Sequence, residues 1–153
     1  MDPSGAEWRV VKPQRFNILL LEDSASDARL FEVALGEVAP RVSLYWVATA
    51  AEAMEALNKG GRFKDILGID IVILDLNLPG TGGFETLELI KRDTALMTKP
   101  VVVLSSSFDP DDIRRSYQLG ANTYFVKPMT LEGIQNLTRC VARYWLELAA
   151  LTP

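Results

Sequence analysis

An alternation constrains this chain more than any other feature. Short apolar runs, rich in branched residues, take turns with segments of helical period. Phe16 to Leu21, Val42 to Val47, Ile69 to Leu74, Val101 to Leu104 and Thr123 to Val126 read as strands. Ala25 to Val38, Ala50 to Asn58, Phe84 to Asp93, Asp111 to Leu119 and Leu131 to about Ala150 (131–151 at its longest) read as helices. The expected inward residues are Leu30, Val33, Ala34 and Val38 on the first helix, Ala53, Met54 and Leu57 on the second, and Leu87 and Ile90 on the third. Strands apolar on both faces are expected where helices cover both sides of a parallel sheet. The class is therefore a doubly wound α/β domain, in which ligands sit at the carboxyl ends of the strands. A length of 153 residues suits one such domain. The expected organisation is a polar arm at 1–15, bearing Trp8, Val10 and Val11, then a single domain over 16–153 with no output domain.

Composition removes several chemistries. The chain has no histidine, which excludes Ser-His-Asp and Cys-His catalysis and His-ligated metal sites. Its one cysteine, Cys140, cannot form an internal disulfide, so a reducing cytoplasm is the expected home. A net charge of −4 without a basic stripe argues against a nucleic-acid partner. No signal peptide or membrane span is visible.

The acidic residues carry the chemical signal. Glu22 and Asp23 follow the first strand directly, and Asp75 follows the central one. Three carboxylates at neighbouring strand ends repel one another. A hard divalent cation such as magnesium relieves that repulsion, with Asp23 and Asp75 as direct ligands, Glu22 direct or through water, and the backbone carbonyl of Asn77 as a further donor. Asp23 as a mere helix cap is the plainer alternative, but Ser24 can cap instead. Ser105 ends the fourth strand and Lys127 the fifth. A carboxylate, a hydroxyl, an ammonium and a magnesium site form a phosphoryl-handling set, in which aspartate can be the nucleophile.

These residues resemble the receiver domain of two-component response regulators. Glu22-Asp23 matches the acidic pair, and Asp75-Leu76-Asn77-Leu78-Pro79-Gly80 with Gly83 matches the phosphoacceptor motif. Ser105 matches the switch hydroxyl, Tyr124 the aromatic that turns on activation, and Lys127-Pro128 the lysine and its following proline, whose peptide bond is typically cis in the family. The interval from Asp23 to Asp75 is longer than usual, with the extra residues in the Gly-rich stretch Lys59 to Gly68. Together with Ser105-Ser106-Ser107 and Trp145-Leu146-Glu147, this is similar to regulators that pair with phytochrome-type histidine kinases.

The resemblance implies a flavodoxin-like sheet of five strands in order 2-1-3-4-5, with five helices and a lengthened last one. It implies a phosphoryl group passed from a sensor histidine kinase to Asp75 with magnesium at Glu22, Asp23, Asp75 and the Asn77 carbonyl. Lys127 and Ser105 then hold the phosphate and Tyr124 turns inward, with readout through the fourth helix, fifth strand and fifth helix. The chain is then a signalling domain rather than an enzyme, beyond its own phosphorylation and dephosphorylation. Three other functions compete. An aspartate-nucleophile phosphatase needs an acid where Asn77 stands, and a flavin binder needs a neutral phosphate loop where Glu22-Asp23 stands. A degenerate receiver used for docking does not need the complete acid, serine and lysine set.

The last helix raises a separate expectation. At 1.5 Å per residue it is about 30 Å long, against about 17–20 Å for a typical strand. Tyr144, Trp145 and Leu148 should then overhang the sheet and offer homodimer contacts, unless the arm covers them.

Overall fold

The computed structural model describes residues 15–78 and 80–151. Five strands, β1 (Phe16–Leu21), β2 (Val42–Val47), β3 (Ile71–Leu74), β4 (Val101–Ser105) and β5 (Thr123–Val126), form one parallel sheet in the order β2-β1-β3-β4-β5. Helices α1 (Ala25–Val38), α2 (Ala50–Leu57), α3 (Gly83–Arg92), α4 (Pro110–Gln118) and α5 (Leu131–Val141) alternate with them. The doubly wound class and strand order are those expected. The Gly-rich stretch 59–68 holds a short 3-10 turn, Gly61–Phe63, which buries Phe63.

Successive strand residues point to opposite faces, and two cores result. Leu19, Leu21, Val72, Leu74, Val101 and Val103 meet the apolar sides of α2 and α3. Ile18, Leu20, Ile71, Ile73, Val102 and Leu104 meet α1, α5 and the segment after α5. The central strands are therefore apolar on both faces apart from Asn17 and Ser105, and β1, β3 and β4 are buried along their whole length.

The structure corrects three expectations. On α1 the buried stripe is Ala28, Phe31, Ala34 and Leu35, while Leu30 and Val33 are 39 % and 47 % exposed. Both stripes have helical spacing, and the one carrying Phe31 removes more apolar area from water. The Lys127–Pro128 bond is trans, since no cis peptide occurs among the described residues. Trans is also the intrinsically preferred isomer before proline.

The third correction concerns the chain's end. The α-helix stops at Val141, a π-helical segment runs over Ala142–Leu148, and Ala149 is extended. From Leu131 to Trp145 is about 21 Å at helical rise, close to the span of a six-residue strand at about 20 Å. Trp145 therefore still lies over the sheet. It is 9 % exposed and belongs to the core that includes Phe16, Phe31, Leu35 and Val141. Ala149 and Leu151 fold against the same core. Trp145 is a core residue, not a free dimer contact, whereas Tyr144 is 56 % exposed. The side chain of Leu148 lies outside the described residues, as do Trp8, Val10 and Val11 of the arm.

Candidate functional site

Strand register builds the site. Leu21 pairs with Leu74, so the next residues, Glu22 and Asp75, leave the sheet side by side. The Asp75 N–H donates to the Leu21 carbonyl at 3.0 Å, and the Glu22 N–H to the Val47 carbonyl at 3.1 Å. Both carboxyls are buried, at 3 % and 4 % residue exposure, while Asp23 is exposed. Ligand oxygens of Glu22, Asp23 and Asp75 all lie within 4.8 Å of one another. Asp23 is not the helix cap: Ser24 is, its hydroxyl accepting the Asp27 N–H at 3.3 Å.

Lys127 reaches into this cluster from the end of β5. Its Nζ donates to Glu22 Oε2 at 2.6 Å, Asp75 Oδ2 at 2.8 Å and Asp27 Oδ2 at 3.2 Å. The other Asp75 oxygen, Oδ1, accepts the Asn77 N–H at 3.0 Å. Glu22 Oε1 accepts the Ser24 N–H at 3.1 Å. The Glu22 carbonyl accepts the indole N–H of Trp46 at 2.7 Å, which ties the acidic loop to β2.

Burial is the largest influence on Glu22 and pushes its carboxyl up to about 7, against the hydrogen bond from Lys127; the neighbouring Asp75 charge adds to the rise. Burial alone would lower Lys127, but its hydrogen bonds to Asp75 and Glu22 outweigh that and hold it above the usual lysine range. The pocket thus stores opposed charges with little water, where electrostatic forces act strongly.

Ser105 ends β4 fully buried, and its hydroxyl accepts the Ser107 N–H at 3.2 Å. Ser107 Oγ donates to Asp112 Oδ2 at 2.6 Å, and Tyr124 OH donates to the Ser107 carbonyl at 2.8 Å. The β4–α4 loop is thereby strung between Ser105, α4 and β5. Asn77 presents its N–H to Asp75 and its side-chain amide to Ser106 Oγ at 3.4 Å.

The structure brings Glu22, Asp23, Asp75, Asn77 and Lys127 together, with Ser105 and Tyr124 joined through Ser107. Sequence reasoning missed Asp27, Trp46 and the Ser107–Asp112 bond. Asp27 was legible in principle, because an acid in the first turn after the Glu22-Asp23 loop sits at the functional edge.

A doubly wound sheet whose carboxyl edge gathers three acids and a half-buried lysine defines a receiver-type phosphoacceptor fold. Residues 18–139 match the family model described as the response regulator receiver domain, and the chain belongs to that family of two-component signalling. It is 34 % identical over 134 residues to response regulator Rcp1 of Synechocystis sp., spanning 88 % of this chain and 91 % of that protein. The crystal structure of the phosphorylated cyanobacterial phytochrome response regulator RcpA aligns with a TM-score of 0.85 at 36 % identity, covering 91 % of this chain and 99 % of that one. The Mn(2+)-bound form of Rcp1 aligns with a TM-score of 0.82 at 33 % identity, covering 90 % and 99 %.

Proposed function

We propose that Asp75 accepts a phosphoryl group from the phosphohistidine of a phytochrome-type sensor histidine kinase. A carboxylate oxygen of Asp75 forms the new O–P bond, the P–N bond to the donor imidazole breaks, and the imidazole leaves with that electron pair. The observation that carries the reading is the Asp75 carboxyl, buried, held by Lys127 and the Asn77 N–H, and set among two further acids. The likeness to phytochrome response regulators supports the choice of kinase.

The donor set is all carboxylate oxygen within 4.8 Å, which suits a hard divalent cation. Glu22, Asp23 and Asp75 would hold magnesium, with the Asn77 carbonyl as a further donor. Bound there, the ion neutralises charge on the phosphoryl oxygens. Lys127 pairs with the phosphate once Asp75 carries it as an acyl phosphate. Ser105, whose hydroxyl accepts from the Ser107 N–H, turns its own proton to a phosphate oxygen. That motion loosens Ser107, to which Tyr124 is bonded, and so moves the α4–β5–α5 face.

The chain acts as a cytoplasmic signalling protein, and its turnover is confined to its own phosphorylation and dephosphorylation. A net charge of −4 favours protein partners over nucleic acid. Self-association as a homodimer uses the exposed Tyr144 side of the last segment. No described helix is long and apolar enough to cross a membrane.

The test is intact mass after incubation with a small acyl phosphate, with and without Mg²⁺. Wild type should gain one phosphoryl group only with Mg²⁺, and Asp75→Asn should gain none. Transfer from a phosphorylated kinase to wild type must follow the same pattern; failure of both donors leaves the docking function instead.

A further inference from the structure

Lys127 has three N–H bonds and three acceptors. Two, Glu22 and Asp75, belong to the acid cluster. The third, Asp27 Oδ2 at 3.2 Å, belongs to the first turn of α1 and lies outside that cluster. An acid at this position ordinarily favours the helix N-terminus or closes a capping box onto the cap's N–H. Here the Ser24 N–H is taken by Glu22 Oε1 at 3.1 Å. The cap fixes the Asp27 backbone through its N–H, and its carboxylate turns to the lysine.

Packing does not by itself set where the lysine sits. Between α1 and α5 lies a cavity of about 60 Å³ that borders Lys127, Glu22 and Asp27 and is walled by Leu20, Phe31 and Leu137. The stem has room to shift, so the three carboxylates decide the ammonium's place. An ammonium committed to Glu22 and Asp75 alone neutralises both and competes with a cation for them. An ammonium shared with a third acid neutralises them less.

We propose that Asp27 is a positioning residue for Lys127: by taking its third hydrogen it draws the ammonium toward α1 and so sets how tightly Glu22, Asp23 and Asp75 take a divalent cation. This rests on the reading of that cluster as the Mg²⁺ site. It adds a residue whose effect passes through the lysine.

The experiment measures Mg²⁺ affinity by calorimetry on the full chain for wild type, Asp27→Ala, Lys127→Ala and the double variant. The bare charge of Asp27 acts in both backgrounds, whereas the effect through the lysine needs the lysine. Asp27→Ala should weaken binding about fivefold in the wild-type background and less than about twofold beside Lys127→Ala. Equal ratios in the two backgrounds overturn the proposal. Should Lys127→Ala not fold, the metal-free protein decides through NMR exchange of the Lys127 ammonium hydrogens with water. Asp27→Ala should speed that exchange at least about threefold, by loss of one charge-assisted hydrogen bond, and Asp111→Ala on α4 should not; unchanged exchange overturns the proposal. If no variant binds Mg²⁺, the metal reading and the cation role fall together, while ammonium exchange still reports whether Asp27 holds the lysine.

Discussion

Nζ of Lys127 lies 2.8 Å from Oδ2 of Asp75, which joins the end of β5 to the end of β3 across the intervening β4. The same ammonium is 2.6 Å from Glu22, and the carboxylates are 5 % and 4 % exposed. A lysine so placed holds two buried charges that would otherwise repel. Lys127→Ala leaves them uncompensated, and removal of one partner from a buried pair typically costs about 3 kcal/mol or more. Urea unfolding without metal should show that loss, and saturating Mg²⁺ should restore part of it. A variant as stable as wild type in chelator would mean that the pair contributes nothing net.

Glu22 makes stability depend on pH. Its carboxyl rises from 4.5 to about 7 in the folded chain, chiefly through burial. Between those values the folded state keeps a proton that the unfolded state has lost. Stability must then fall as pH rises through that window, by on the order of 3 kcal/mol at most. Below the window both states are protonated, and above it neither is. Urea midpoints in chelator should therefore drop from about pH 5 to pH 7.5, and Glu22→Gln should flatten that slope. Mg²⁺ binding near neutral pH should release a proton, visible as an enthalpy that varies with buffer.

Trp145 and Tyr144 are adjacent but belong to different environments. Trp145 is 9 % exposed in the core over β1, and Tyr144 is 56 % exposed with its ring edge-on to it, centroids 4.9 Å apart. Trp145→Ala opens a core cavity and should cost about 3–5 kcal/mol. Tyr144→Ala should cost under about 1 kcal/mol. If the homodimer forms as proposed, Tyr144→Ala lowers the dimer fraction in sedimentation at unchanged stability. The opposite ranking of the two stabilities would contradict the packing of the last segment.

Much of this was legible in the residues, and the reasons are specific. Ile71 to Leu74 and Val101 to Val103 are apolar on both faces, which only a two-sided sheet satisfies. Glu22, Asp23, Asp75, Ser105 and Lys127 directly follow or close apolar runs, so strand ends placed them. Side-chain choices between near-equal alternatives were not legible. Leu30 and Val33 share helical spacing with Phe31 and Leu35, and only the sheet's shape selects the larger pair. Comparing helix and strand lengths places Trp145 past the sheet, but Phe16, Phe31 and Leu35 close around it at the start of β1 and on α1, and no length comparison records that packing. The bond from Lys127 to Asp27 spans 100 positions, and no local pattern records it.

Gly83 couples the fold to the proposed acceptor most directly. A Cβ there would lie 2.4 Å from Leu76 Cα and 2.5 Å from the Asp75 carbonyl oxygen. Both are backbone atoms of the loop that carries Asp75, and the Gly83 N–H already donates to the Leu76 carbonyl at 3.2 Å. α3 therefore starts in contact with that loop, and alanine must push one of them away. Overpacking of this kind costs about 1–3 kcal/mol. Because the displaced atoms belong to Asp75 and Leu76, phosphorylation should slow by at least about tenfold, as small misplacements of reacting groups do. Gly80 supplies the control: its φ is +69° and a Cβ there would meet nothing within 4 Å. Gly80→Ala should cost about 1–2 kcal/mol of left-handed backbone strain and leave the rate within about threefold, since nothing moves against Asp75. Melting curves and intact-mass time courses on both variants separate the two effects. A Gly83→Ala protein that melts lower but phosphorylates at the wild-type rate would show that the clash relaxes into α3 and spares the Asp75 loop.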